Sequence, residues 1–366
     1  MRLLIATPLY PPESGGPATY VKILEERFPG IGIEVEVVPF SSVRRLPKLL
    51  RHFFYFVRIF KALRNADALL ALDPVSVGLP SYLASRILRK RFFIKVVGDY
   101  AWEQGRQRFG VSGSLDRFVR ERQHSTRVRI LQYLEALVAM GADHVLVPSH
   151  YLKKIVTTWS VPAEKITVIA NGIKKEMPAA SPEDIAKLPR PLIVTAARLV
   201  PWKGVGGLID AVAELRAQGI PASLVVVGEG PYREHLETYA KARLESEYVF
   251  TGALSHAETL AVMSDADVFA LNTAYEGLSH VLIEAMGLGA AIVTTSAGGN
   301  TELITDDVEG LVVAFDDRPA LAGALRRILT DSALRDRVSE SARQKSADFT
   351  EDAMIEKTAA FLKANL

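Results

Sequence analysis

The chain has 366 residues, of which 49% are hydrophobic and 23% are charged. This composition excludes a disordered protein, and the length exceeds one ordinary core, so we expect two domains. The absence of cysteine excludes disulfides and cysteine-type zinc sites, and it fits a reducing compartment such as the cytoplasm. No run of about 18 apolar residues occurs, and the N-terminal apolar run is too short for a signal peptide, so we predict no membrane span.

Charge is distributed unevenly along the chain. Residues 1–175 contain 27 Lys and Arg against 14 Asp and Glu, whereas residues 176–366 contain 17 against 28. The resulting net charges of +13 and −11 indicate two domains with different surfaces. The basic half is expected to attract an anionic partner.

Short apolar segments alternate with helical patterns throughout. We predict strands at 3–7, 34–38, 69–72, 92–97, 145–147 and 167–169, and helices at 17–28, 47–64 and, largely, 115–140. The pattern restarts with strands at 192–196, 223–227, 249–251, 268–271 and 291–294. Such alternation forms parallel sheets, so the sequence predicts an α/β protein of two doubly wound Rossmann-like domains facing a cleft.

Turn and breaker residues between 171 and 190 mark the domain boundary. We therefore predict an acceptor-side domain at 1–175 and a donor-binding domain at 176–349. The final helix, at about 350–366, is free to pack on the second domain or back on the first.

Two glutamates follow the predicted strand 268–271. Glu276 lies in the loop, and Glu284 lies on the helix that begins near Ser279. Ligands bind beyond the carboxyl ends of parallel strands, so both carboxylates are placed to face one crevice. Ionised carboxylates accept strong hydrogen bonds from sugar and ribose hydroxyls. An ordinary helix with an exposed capping acid accounts for the same pattern about equally well.

Arg198 and Lys203 follow the strand 192–196 and precede a glycine-rich helix start. Two cations beside a helix N-terminus suit a pyrophosphate group. The alternative is a pair of solvated cations on a loop.

Three glycine pairs follow predicted strands, where backbone N–H groups are able to approach a phosphate. In each case a plain turn is the alternative, and in isolation it is the favoured interpretation of the G-x-G. The pairs are Gly15-Gly16, Gly228-x-Gly230 and Gly298-Gly299.

Together these segments resemble the retaining glycosyltransferases of family 4, which have two Rossmann-like domains (GT-B). The resemblance covers nearly the whole chain, through the N-terminal Gly-Gly loop, ADHVLVPSHYLKKIV, VIANGI, the Arg-x4-Lys pair and YEG…HVLIEAMGLGAAIVTT, which is the most specific. It implies transfer of a sugar from a nucleotide-diphosphate donor to an acceptor hydroxyl, with retention of anomeric configuration. We expect no metal cofactor, because Arg198 and Lys203 would neutralise the diphosphate.

The resemblance also implies roles for single residues. Arg198 and Lys203 would bind the diphosphate, Glu276 the donor sugar and Glu284 the ribose. Phe250 to Leu254 would lie near the base. The donor-binding segment between the two glutamates consists of Gly277, Leu278 and Ser279.

The sequence departs from the family pattern at two places. Lys174 follows Asn171-Gly172-Ile173 where the family often has Asp. The strand 92–97 is not followed by the usual His, and Asp99 is the nearest polar group able to bond the transferring sugar. We assign Asp99 as a catalytic residue with Arg198, Lys203 and Glu276; a helix cap or turn is the alternative.

Other enzyme classes find less support. Asp265-Ala266-Asp267 resembles a metal-binding D-x-D, but it precedes a buried strand and is interpreted as structural. The histidines show no paired ligand spacing, so no metal is proposed. A P-loop and a G-x-G-x-x-G after the first strand are both absent. A nucleotide-sugar epimerase of the same fold and a catalytically silent nucleotide-sugar-binding subunit remain as alternatives.

Residues 42–64 predict a basic aromatic helix. Between 41 and 66 there is no acid, and the segment contains Arg44, Arg45, Lys48, Arg51, Arg58, Lys61 and Arg64. A helical period places Leu49, Phe53, Phe56 and Phe60 on one core-facing stripe, with Phe54 and Tyr55 left exposed beside it. A core helix with a solvated basic back is the alternative.

A basic helix with exposed aromatics suits an anionic membrane surface. We therefore predict a cytoplasmic enzyme, peripheral on the inner face of the membrane, whose acceptor is a lipid or an envelope glycan. No nucleic-acid recognition motif is present.

Overall fold

The computed structural model describes residues 1–13, 15–121, 123–174, 176 and 178–366, without the side chains of Lys48 and Leu49. The chain divides into two compact units: unit 1 is Met1–Ala170 with Asp352–Leu366, and unit 2 is Asn171–Glu351. Each unit contains one six-stranded parallel sheet, as predicted for a two-domain α/β fold. The predicted boundary residue, Lys175, lies outside the described residues.

The sheet of unit 1 has the order β2-β1-β3-β4-β5-β6. Its strands are β1 (Arg2–Thr7), β2 (Glu34–Pro39), β3 (Ala68–Ala71), β4 (Arg91–Lys95), β5 (His144–Val147) and β6 (Ile166–Val168). Its helices are α1 (Gly16–Arg27), α2 (Lys48–Leu63), α3 (Gly78–Leu88), α4 (Tyr100–Arg108), α5 (Leu115–Arg120), α6 (Thr126–Gly141) and α7 (His150–Thr158). The segment 115–140, predicted to be largely helical, contains two helices, α5 and α6. Arg122, between them, lies outside the described residues.

The sheet of unit 2 has the order β12-β11-β10-β7-β8-β9. A short helix, α8 (Glu183–Ala186), precedes it. Its strands are β7 (Leu192–Ala196), β8 (Ser223–Val227), β9 (Tyr248–Gly252), β10 (Val268–Leu271), β11 (Ile292–Thr295) and β12 (Leu311–Val313). Its other helices are α9 (Val205–Ala217), α10 (Arg233–Leu244), α11 (His256–Ser264), α12 (His280–Leu288), α13 (Asn300–Leu303), α14 (Arg318–Thr330) and α15 (Ser332–Ser346).

The last helix, α16 (Glu351–Ala364), packs on unit 1. Met354, Ile355, Ala359 and Leu362 are buried in the same apolar cluster as residues of β1, β3 and α1. This settles which of the two domains the final helix covers.

Helix α2 agrees with the helix predicted at 47–64, and it is shorter than the basic aromatic segment 42–64 that was assigned to it. A 3-10 turn at Phe40–Val43 precedes it, and Pro47 immediately before the helix has the extended backbone that favours a helix start. The basic residues Arg44 and Arg45 therefore lie before the helix, not on it.

The buried stripe of α2 also differs from the prediction. Tyr55, Ile59 and Leu63 are fully buried, whereas Phe53 is 59% exposed. The Tyr55 hydroxyl donates to the Val38 carbonyl at 2.7 Å, so its polar end is satisfied inside the fold. Placing Tyr55 on the exposed side was wrong, because the sequence has two apolar stripes one position apart and the second one faces the sheet.

The other described residues of the predicted stripe lie at the margin of the stripe that is buried in the structure. Phe56 and Phe60 are half-buried, and Phe54 is exposed as expected. The prediction for Leu49, and the side chain of Lys48, lie outside what the structure describes. In the described part of the chain, no helix combines the length and the apolar character needed to cross a bilayer.

Candidate functional site

The carboxyl edge of the unit 2 sheet brings four loops together. β8 and β10 lie on either side of β7, and β11 lies next to β10. The loops after β7, β8, β10 and β11 carry Lys203, Gly228, Glu276 and Gly298 in turn. Because parallel strands end at the same edge, residues predicted from separate motifs become neighbours.

An ion pair joins Lys203 to Glu276 at this edge. The two side chains are only 18% and 13% exposed, so water screens the pair weakly. The sequence placed both residues near the donor but did not predict their contact. Such a pair fixes both side chains, since loss of either partner would leave a largely buried charge.

The loop of Lys203 is held against the loop of Glu276 by backbone contacts. Gly204 has φ +56°, and a Cβ there would lie 2.2 Å from the Asn272 carbonyl oxygen, so the approach requires glycine. The Asn272 amide donates to the Gly204 carbonyl at 2.8 Å. The Ala274 amide donates to the Trp202 carbonyl, also at 2.8 Å.

Gly298 and Gly299 support Glu276 from the other side. Gly298 has φ +61°, and a Cβ there would lie 2.0 Å from the Glu276 carbonyl oxygen. The Gly299 amide donates to that oxygen at 2.9 Å. The pair thus forms a tight turn against the backbone of the glutamate.

Gly228 and Gly230 allow a similar close approach of two loops beside Arg198. A Cβ on Gly228 would lie 2.1 Å from the Ala197 carbonyl oxygen, and one on Gly230 would lie 2.2 Å from that of Leu199. These glycines let the loop after β8 lie directly on the loop that carries Arg198. The Arg198 side chain itself is exposed, with no acidic partner within 4.0 Å among the described residues.

Glu284 lies on α12, whose first turn is capped by the Ser279 hydroxyl. Its carboxylate is 3.0 Å from His256 Nε2, and His256 Nδ1 is 2.7 Å from the carboxylate of Glu176. The hydrogen bond to Glu284 raises the pKa of His256 to about 9, so the imidazole is charged at neutral pH. The side chain of Glu284 is 15% exposed.

Sequence reasoning missed His256 and Glu176. The motif Ser255-x-x-Glu258 predicts a helix start, and the structure has the corresponding capping box. That motif places His256 in the first turn of α11, but nothing local indicates its contact with Glu284.

The predicted base-proximal residues lie one strand further along the edge. Phe250 is half-buried in β9 and packs against the unit 2 core, and Leu254 is half-buried in the loop after it. Between the two glutamates, Leu278 and Ser279 are buried, and the Leu278 carbonyl accepts from the Asn171 amide at 3.3 Å. Gly277 contacts the glycine turn, since a Cβ on Gly299 would lie 2.3 Å from its carbonyl oxygen.

In unit 1, Gly15 and Gly16 lie at the start of α1, beyond the carboxyl end of β1. Gly15 has φ +142°, and a Cβ there would meet the Leu9 side chain at 2.9 Å. A Cβ on Gly16 would meet nothing within 4 Å, so this position borders open space.

Asp99 is 1% exposed and caps α4, with its carboxylate accepting from the Trp102 amide at 2.7 Å. Glu135, also fully buried, accepts from the neighbouring Ala101 amide at 3.2 Å. Burial raises the pKa of Asp99 to about 6 and holds that of Glu135 well above its usual range. Asp99 and Trp159 line an open pocket of about 290 Å³.

The Asp265-Ala266-Asp267 segment has structural contacts. The Asp267 carboxylate accepts from the Leu192 amide at 2.7 Å and from Arg190 at 3.0 Å. Among the residues with described positions, no three His, Asp or Glu side chains are grouped as metal ligands.

Two protein-family models match the chain. The glycosyl transferase 4-like domain matches residues 3–172, and glycosyl transferases group 1 matches residues 179–345. Together they cover nearly the whole chain, with the division falling near the boundary between the two units.

Curated relatives are glycosyltransferases of several kinds. A glycogen synthase of Mycobacterium tuberculosis is 31% identical over 68% of this chain and 58% of its own length. A GDP-mannose-dependent phosphatidylinositol monomannoside mannosyltransferase of Mycolicibacterium smegmatis is 32% identical over 53% of this chain and 55% of its own length. An alpha-D-kanosaminyltransferase of Streptomyces kanamyceticus is 34% identical over 42% and 40%. The chain thus spans about half the length of these relatives.

Solved structures share the fold. Sucrose-phosphate synthase of Thermosynechococcus elongatus aligns with a TM-score of 0.80 at 20% identity, covering 99% of this chain and 98% of that one. Anabaena HepE in complex with UDP-glucose aligns with a TM-score of 0.79 at 20% identity over the whole of both chains. With two matching family models and two parallel-sheet units, the chain belongs to the group 1 glycosyltransferases and has the GT-B fold.

Proposed function

We propose that the protein transfers a sugar from a nucleotide-diphosphate donor to an acceptor hydroxyl, with retention of anomeric configuration. One observation carries the proposal: Arg198, Lys203 and Glu276 converge at the carboxyl edge of one sheet, where α/β folds bind their ligands. The complex of a fold neighbour with UDP-glucose and the names of the curated relatives support it.

The two cations are assigned to the diphosphate. Arg198 has an exposed guanidinium and pairs with no acid in the part of the chain that the structure describes, so its donors are available to phosphate oxygens. Lys203 has three donors, and one of them engages Glu276. Lys203 therefore binds a phosphate oxygen without releasing the glutamate.

The two glutamates are assigned to hydroxyl groups. Glu276, fixed by Lys203 and by the glycine turn, accepts from a hydroxyl of the donor sugar. Glu284 has one carboxylate oxygen on His256 and offers the other to the ribose.

The reaction forms a bond between the acceptor oxygen and C1 of the sugar as the bond from C1 to the diphosphate oxygen breaks. The acceptor proton passes to a donor phosphate oxygen, and the nucleoside diphosphate leaves with the electron pair. Arg198 and Lys203 stabilise the charge that develops on it, and we propose that they supply this stabilisation without a metal. Asp99 is buried and caps α4, so it acts on the sugar only if the sugar reaches its carboxylate through the pocket that Asp99 and Trp159 line.

We place the acceptor hydroxyl on a membrane lipid or an envelope glycan, and the protein at the cytoplasmic face of the membrane. The lipid acceptor named for the mannosyltransferase relatives supports this choice. So do the exposed cations and phenylalanines of α2.

The test is incubation of the protein with labelled UDP- and GDP-sugars, with and without detergent-solubilised lipid extract. Label that appears in the lipid fraction only with protein and extract present is the expected result. Interconversion of nucleotide sugars without extract would instead indicate an epimerase. Binding of donor without any turnover would indicate a silent subunit.

A further inference from the structure

Helices α2, α3 and α6 pack side by side in unit 1, α2 against α3 and α3 against α6. Their outer surface, here called the α2–α3–α6 face, is unusually apolar. Eight of the fourteen large apolar side chains that are exposed among the described residues lie on these three helices. They are Leu50, Phe53, Phe54, Leu83, Ile87, Ile130, Tyr133 and Met140. Single exposed apolar residues are ordinary, but their concentration on one face indicates a partner.

The same face has no exposed acid. α2 and α3 contain no Asp or Glu, and the only acid of α6, Glu135, is fully buried. Exposed cations are present on all three helices: Arg58 and Lys61 on α2, Arg86 on α3, and Arg127 and Arg129 on α6.

An open pocket of about 420 Å³ lies where α3 and α6 end, at the amino edge of the sheet. Arg86, Arg89, Lys90 and Arg91 line it, and Asp143 is the one acid among its described lining residues. Asp143 is already engaged, because it pairs with Arg91 at 3.0 Å and accepts from the Phe92 amide at 2.8 Å. Arg86 and Arg89 have no acidic partner within 4.0 Å among the described residues.

We propose that the α2–α3–α6 face lies on an anionic phospholipid bilayer, with lipid phosphates bound by the cations of this pocket. The proposal extends the membrane acceptor of the proposed function. Leu, Ile and Phe side chains interleaved with cations match the boundary between headgroups and acyl chains. A second copy of the chain is a poorer partner, because it would bring two acid-free faces together.

The test is cosedimentation with vesicles of phosphatidylcholine alone or with added phosphatidylglycerol, in low and high salt, without donor or acceptor. We expect binding only to the anionic vesicles, weakened by salt. Arg86→Gln with Arg89→Asn should weaken it about thirtyfold, at the usual contribution of each cation near an anionic surface. Asn tolerates the left-handed backbone of position 89, where φ is +52°.

Two further double variants separate the contributions of apolar area and of charge to vesicle binding. Phe53→Gln with Ile87→Gln removes exposed apolar area and should also weaken binding. Lys241→Gln with Arg326→Gln removes the same charge from exposed positions of unit 2 and should leave binding unchanged.

Equal binding by all variants would overturn the proposal. A second result would also overturn it: the protein fails to bind vesicles, dimerises with increasing concentration in sedimentation velocity, and loses that dimerisation when Phe53 and Ile87 are substituted. Sugar transfer to detergent-solubilised lipid extract that persists without vesicle binding would refute this face alone and leave the proposed function standing.

Discussion

The ion pair of Lys203 and Glu276 contributes to the stability of unit 2, and the same two side chains are proposed to act in sugar transfer. Each is more than four-fifths shielded from water, so removal of either partner leaves the other poorly compensated. The lysine is also the group proposed to meet the charge of the leaving diphosphate. Substitutions here are therefore expected to change two measurable properties, which a double variant can separate.

Lys203→Ala should lower turnover at least ~10²-fold, as loss of one transition-state donor does. It should also lower the free energy of unfolding by about 3 kcal/mol, because Glu276 is left without its cation. Steady-state kinetics and urea unfolding check the two effects. Lys203→Met with Glu276→Gln should regain stability but not turnover. Full turnover in folded Lys203→Ala would remove this residue from the mechanism.

Glu284 and Glu276 are distinguishable by their ligands. If Glu284 binds the ribose, Glu284→Ala should weaken both free nucleoside diphosphate and nucleotide sugar. Glu276→Ala should weaken mainly the nucleotide sugar, since its partner hydroxyl is absent from the free diphosphate. Calorimetry with both ligands on both variants measures this, and the reversed pattern would exchange the two roles.

His256 makes stability depend on pH. Its pKa is raised in the folded protein to about 9, so its stabilising effect is full below about 6.5 and is lost as pH rises through 9. Because the side chain is 48% exposed, we expect only about 1 kcal/mol after solvent screening. Urea unfolding of the protein and of His256→Gln should differ at pH 6 and coincide at pH 10. A difference independent of pH would mean that packing, not charge, is responsible.

The residue types of the site were predictable, but their pairings were not. Lys203 and Glu276 are 73 positions apart, and Glu284 and His256 are 28 apart. The first contact depends on β10 lying next to β7, an order that the local pattern of each strand does not specify. The assigned roles remain predictions until the variants are measured.

At the scale of elements, buried strands were easier to predict than faces of helices. Strands such as β7 and β8 are apolar along their whole length because both faces are covered, and their bounds agree with the prediction. β12 (Leu311–Val313) was not predicted. In α2, by contrast, apolar residues surround most of the helix, so the period alone did not identify the buried side.

The two stripes of α2 should respond differently to truncation. Ile59→Ala removes a fully buried side chain and should lower the free energy of unfolding by about 2–4 kcal/mol. Phe53→Ala removes one that is 59% exposed and should change it by less than about 0.5 kcal/mol. Urea unfolding measures both, and the opposite order would mean that the helix is rotated from the orientation described here.

At the scale of the whole molecule, unit 1 is discontinuous in sequence. Its first 170 residues form the sheet, and residues 352–366 return to cover it after unit 2 is complete. The buried side chains of α16 lie in one apolar cluster with those of β1, β3 and α1. The charge asymmetry between the halves indicated two domains, but it contained no information about this return.

Deletion of residues 352–366 should therefore destabilise unit 1 selectively. Met354, Ile355 and Leu362 would be lost, and the sheet residues that they cover would be exposed. Limited proteolysis with mass spectrometry should show rapid cleavage within 1–170, while fragments of 171–351 survive. Equal resistance of both regions in the shortened and full chains would contradict the assignment of α16 to unit 1.

The return of the chain also affects how the protein is made. The ribosome releases every residue of unit 2 before it releases the helix that closes unit 1. Unit 2, being continuous, is able to complete its sheet during translation, whereas the half that is synthesised first is finished last. At ordinary rates of translation, an apolar surface of the nascent chain stays uncovered for roughly 10 to 40 seconds.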